Sequence, residues 1–80
     1  MPLLDFSPEA LVMMAANLRH CRTLGDAERY LQDVSPDIGR PRSWGIWDGF
    51  RALPESEPKE WEQSERREYR SGLKLGRGMR

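Results

Sequence analysis

Scarcity of aliphatic filling constrains this chain more than any other feature. Only 15 of its 80 residues are Leu, Ile, Val or Phe, just under the share of roughly 20% at which a self-sufficient core becomes hard to build. A core this small seldom contributes more than about 3–5 kcal/mol, and natural domains of the size add disulfides, a metal or a partner. The chain has one Cys and one His. A single thiol closes no internal disulfide, and two such side chains fall short of the ligand set of a structural zinc site. Association with another macromolecule is the stabilising device left. Folding is still expected over disorder, because three Trp, two Tyr and four Met accompany zero net formal charge, whereas unfolded chains pair low hydropathy with high net charge. One thinly cored domain over residues 1–80 is the expectation.

Helix signals come first. In Ser7-Pro8-Glu9 the Ser hydroxyl can accept a free backbone N–H, Pro8 presets φ for the first helical position, and Glu9 faces the positive end of the dipole. Leu11, Met14, Ala15 and Leu18 then recur at helical spacing, with Val12 and Ala16 widening the stripe, to about Arg22. Thr23-Leu24-Gly25-Asp26 has the form of a cap and opens a second helix whose buried side is Ala27, Tyr30, Leu31 and Val34. Ser35-Pro36 closes it. Residues 8–34 therefore read as an antiparallel helical hairpin, and 35–41, with two prolines and a glycine, as a turn.

Residues 42–53 place Trp44, Ile46, Trp47, Phe50 and Leu53 at i+3 and i+4 spacings, a short aromatic helix. Gly45 and Gly49 each cost about 1 kcal/mol there, but they leave a smooth strip that another backbone can approach. Residues 54–58 are a proline-bracketed acidic linker. Residues 59–80 are a charged helix and tail, in which Gly72, Gly76 and Gly78 should fray the end unless something holds it. The fold class is all-α, a small bundle of three or four short helices.

Several function classes drop out. The first ten residues carry Asp5 and Glu9 without Lys or Arg, so no secretory leader is expected. No window approaches the ~18 apolar residues of a membrane helix. A lone Cys fits a reducing compartment, and cytoplasm is the expected location. Adjacent on a helix, His20 and Cys21 point about 100° apart and form no local thiolate–imidazole pair. Cys21 reads as packing and His20 as a helix-end residue. The acidic run Glu55, Glu57, Glu60, Glu62 lacks the order of a calcium loop, and Gly76-Arg77-Gly78 follows no strand, so it is no phosphate loop. A non-enzymatic protein is expected, without cofactor, metal, membrane or small-molecule substrate.

The sharpest polarity lies in the last quarter. Residues 55–64 carry net charge −3 and residues 65–80 carry +4. If helical, Arg66, Arg70, Lys74 and Arg77 share a sector of about 80°. With Arg67 and Arg80 they form a candidate nucleic-acid stripe, and Tyr69 is available to stack on a base. Zero net charge and the glutamates just upstream favour instead a balanced, solvated helix end. Thr23 to Leu31 resembles the first helix of excisionase-type helix-turn-helix modules, which implies DNA binding by the following helix; Pro36, Gly39 and Pro41 occupy that place here. Tyr69-Arg70-Ser71-Gly72 with Gly76, together with Ser43 to Ala52, resembles ribosome modulation factor, with the two pieces in reversed order, and implies ribosome binding.

The aromatic residues carry the leading expectation. Some of Trp44, Trp47, Phe50 and Trp61 must fill the core, yet Trp and Arg are the residue types enriched at interface hot spots. Trp44, Trp47, Trp61, Tyr69, Arg66 and Arg70 are the candidate partner contacts. The function expected from them is a protein-binding adaptor or inhibitor that docks on a larger host assembly or self-associates as a homo-oligomer. In size and character it is similar to small phage and mobile-element proteins, anti-CRISPR proteins included. The alternative is nucleic-acid or ribosome binding through the basic C-terminal segment.

Overall fold

A computed structural model describes residues 6–79. These form four helices, α1 (Pro8–Leu18), α2 (Leu24–Val34), α3 (Arg40–Phe50) and α4 (Gln63–Gly78), with no strand among the described residues. The all-α class stands, and α3 is the element on which each of the other three packs.

The first two helices start where their caps require. Ser7 Oγ accepts Ala10 N at 3.1 Å and Thr23 Oγ1 accepts Asp26 N at 3.2 Å, each meeting one of the donors a helix start leaves open. α1 ends at Leu18, short of Arg22, because the chain tightens into i→i−3 bonds, His20 N to Asn17 O and Cys21 N to Leu18 O. Both helices rest on α3, so the expected hairpin has the central helix as its floor. Met14, Ala15, Leu18, Ala27 and Leu31 meet Ile38, Ile46, Trp47, Phe50 and Met79 in one core. Val34, expected inside, is 44% exposed, and Val12 and Ala16 also face out.

The third helix begins two residues before the expected position. Gly39 at φ 81° turns the chain, its carbonyl accepts both Ser43 N (3.2 Å) and Ser43 Oγ (2.9 Å), and Pro41 sits in the first turn, where its missing N–H costs nothing. It ends at Phe50, three residues before the expected Leu53. Leu53 N bonds Asp48 O at 2.9 Å and Ala52 N bonds Gly49 O at 3.3 Å, with Ala52 at φ 56°. That bond pattern is a Schellman stop, formed here with Ala where Gly is usual. The break therefore precedes Pro54 and does not depend on it.

The largest departure concerns the tail. Helix α4 starts at Gln63, later than the expected Lys59, because Glu62 is the N-cap and Glu65 Oε1 accepts Glu62 N at 2.9 Å. It then runs unbroken through Gly72 and Gly76, so the expected fraying there is corrected. A Cβ on Gly45 would overlap Tyr69 O, and on Gly49, Leu73 O; on Gly72 it would overlap Arg42 O, and on Gly76, Ile46 O. Four glycines thus bring the backbones of α3 and α4 into direct contact, closer than side-chain-spaced helices come. The packing holds the glycines helical, offsetting their poor propensity. Partners advance in the same direction on both helices, so α3 and α4 run parallel. Residues 51–62 must therefore return along the pair.

Candidate binding surface on the fourth helix

That return determines the electrostatics. The connection runs antiparallel to α4: Glu55 pairs with Arg77 (3.2 Å), Glu57 with Arg70 (2.9 Å), and the Lys59 carbonyl accepts Arg66 at 3.0 Å. Its middle is pinned inward. Ser56 N donates to the Tyr69 hydroxyl at 2.9 Å, Ser56 Oγ donates to Asp48 at 2.9 Å, and Tyr69 donates to Asp48 at 2.6 Å. Burial, then the bond to Asp48, raises the Tyr69 hydroxyl above its ordinary value of 10.0.

The expected contacts divide accordingly. Tyr69 and Trp47 are interior, at 0% and 5% exposure, so neither offers a ring to a protein or a base. Trp44 and Trp61 are half-buried at the starts of the parallel pair, edge to face at 5.2 Å, and Trp61 leans on Tyr69 at 5.7 Å. Arg40 lies over Trp44 and Arg51 over Trp47, at 5.9 and 5.1 Å from the ring centres. These aromatics brace the α3–α4 pair first, and only Trp44 and Trp61 keep an edge in water.

Basic residues stay outside. Arg67, Arg70, Lys74 and Arg77 are exposed and Arg66 is half-buried, all on the side of α4 away from the glycine seam. Among the described residues Arg66, Arg67 and Lys74 have no ion-pair partner, while Arg70 and Arg77 are each matched by one connection glutamate. A shallow depression of about 400 Å³ is lined by Gln63, Arg66, Arg67 and Arg70, and Arg66 Nε is buried there without a hydrogen-bond partner. Arg80 lies outside the described residues. Sequence reasoning missed Asp48 and Ser56 as the polar lock behind this surface; the available signal was Asp48 as the lone charge within the aromatic stretch Trp44 to Phe50.

Among the described residues no other chemistry gathers. Burial, then Asp26, raises the Cys21 thiol, which donates to Asn17 O at 3.6 Å. Among the described residues no three His, Cys, Asp or Glu side chains converge as metal ligands, and no helix is long and apolar enough to cross a membrane.

Fold and surface together define a small all-α protein built on a glycine-seamed parallel helix pair with one basic outer face. Comparison with known families, curated proteins and solved structures finds no match.

Proposed function

We propose that this is a non-enzymatic binding module that grips nucleic-acid phosphates with the outer face of α4. One observation carries the reading: five cations, Arg66, Arg67, Arg70, Lys74 and Arg77, are strung along one helix, while among the described residues the acids paired with them come from the connection. Three of the five, Arg66, Arg67 and Lys74, carry no ion pair among the described residues, and a depression between three arginines suits a phosphate. With Tyr69 inside, base stacking plays no part, so recognition is of the backbone and insensitive to sequence. The reading belongs to the cytoplasm and accommodates the RNA surface of a ribosome.

The test is titration of labelled RNA and DNA duplexes with the protein across a salt series. Engagement of two to four phosphates gives a slope of log K against log salt of about −2 to −4. Arg67→Glu with Lys74→Glu should cost at least about tenfold at low salt without altering the fold, since both side chains are exposed. No binding at low salt, or binding indifferent to that pair of changes, overturns the reading.

A second reading, an adaptor or inhibitor of the phage or mobile-element type, is supported by the half-exposed Trp44–Trp61 pair with Arg40 beside it. Under it Trp44→Ala weakens a protein complex that the α4 charge reversals leave intact.

A further inference from the structure

Helix α1 is apolar on two sides, and only one of them is used. Met14, Ala15 and Leu18 enter the core, yet Val12 is 70% and Met13 65% exposed, with Ala16 exposed between them one turn on. Two large apolar side chains left in water on a single helical turn are stabilised when a partner covers them. A groove of about 240 Å³ runs between Leu11, Val12, Ala15, Ala16 and Arg19 along α1 and Gly78 and Met79 at the end of α4, apolar but for Arg19 at its rim.

We infer that this face pairs antiparallel with the same face of a second copy of the chain. The charges select that occupant. Glu9, Val12, Ala16 and Arg19 succeed one another along a single stripe at 3, 4 and 3 residues, the spacing of a helix-pairing seam. The stripe is symmetric about residue 14. When an identical stripe is laid on it head to tail, Val12 meets Ala16 of the second copy and Glu9 meets Arg19 of the second copy, and two-fold symmetry repeats both contacts. The same two-fold sets the Met13 flank of one copy beside the Met13 flank of the other. A parallel arrangement would instead set Glu9 on Glu9 and Arg19 on Arg19, which like-charge repulsion disfavours. The patch is far smaller than the ~800 Å² per partner of a standard interface, so the pairing is concentration-dependent and reversible. It is independent of the α4 basic face, which uses none of these residues.

Sedimentation velocity of the full chain from about 10 µM to about 1 mM reads the result. The mass should rise from 9.3 kDa towards that of a dimer, and Val12→Glu with Met13→Glu should abolish the rise while circular dichroism keeps its helical signal. Glu9→Arg alone and Arg19→Glu alone should each weaken association by about tenfold, because each places two like-charge pairs in the homodimer. An equimolar mixture of these two single variants should associate again, since every Glu–Arg contact is restored between unlike chains. A wild-type chain that stays monomeric throughout, or an association unmoved by the charge reversals or not recovered on mixing, overturns the inference.

Discussion

Tyr69 on α4 donates its phenolic hydrogen to the Asp48 carboxylate on α3 at 2.6 Å, with both residues withdrawn from solvent. The bond joins two helices already touching through glycine, and the connection closes over it through Ser56. Tyr69→Phe preserves the ring but leaves Asp48 with the Ser56 hydroxyl alone. The expected loss is about 1–3 kcal/mol, read from urea unfolding followed by tryptophan fluorescence. The pH dependence follows from the direction of the shift. A hydroxyl whose folded value lies above its unfolded one contributes fully below about pH 10 and is lost as pH climbs through the folded value. Wild type should therefore weaken on the alkaline side more steeply than Tyr69→Phe; parallel alkaline limbs would count against the bond.

Alanine at the seam glycines should be severe. Each added Cβ at Gly45, Gly49, Gly72 or Gly76 lands on a backbone carbonyl, which cannot swing aside. Overpacking of that kind costs at least about 1–3 kcal/mol, well beyond the gain of up to about 1 kcal/mol in helix propensity. Gly78, within the same helix and with nothing near its would-be Cβ, is the control: Gly78→Ala should raise the melting temperature. Equal effects at Gly72 and Gly78 would refute the close helix contact.

At the end of α3, Ala52 holds a left-handed conformation that a side chain resists. Ala52→Gly should stabilise by up to about 1 kcal/mol, measured by thermal unfolding, because glycine adopts that conformation without the Cβ clash. A destabilised variant would show that the Schellman stop does not form in solution.

Neutralising the connection should sharpen the basic face. Glu55→Gln with Glu57→Gln frees Arg77 and Arg70 at the modest cost of two surface ion pairs, each ~0.2–1 kcal/mol. RNA affinity should rise by about three- to tenfold at low salt, and the gain should disappear at high salt. Unchanged affinity alongside measurable wild-type binding would place the contact elsewhere on the molecule.

Local signals were legible where they act locally. Ser7, Pro8, Thr23 and Asp26 mark the starts of α1 and α2, since capping depends on residues three apart. The apolar recurrences in α1 and α2 likewise identified Met14, Leu18, Ala27 and Leu31 as interior. The glycines of the last quarter misled for the same reason: by propensity Gly72 and Gly76 break a helix, and nothing near them in sequence discloses that Gly45 and Gly49 lie opposite. Trp47 and Tyr69 share the residue types of a hot spot and of a brace, and only their neighbours distinguish the two.

By itself the sequence determined that the chain is all-α, where the first two helices start, and that opposite charges crowd its last quarter. Those properties rest on spacing and on short-range hydrogen bonds. The tertiary structure decided which rings became interior, which cations stayed outside, and why a glycine-rich tail is helical. Each depends on the parallel approach of α3 and α4, a contact between residues more than twenty positions apart that lets backbone meet backbone and obliges the acidic connection to return along the basic helix.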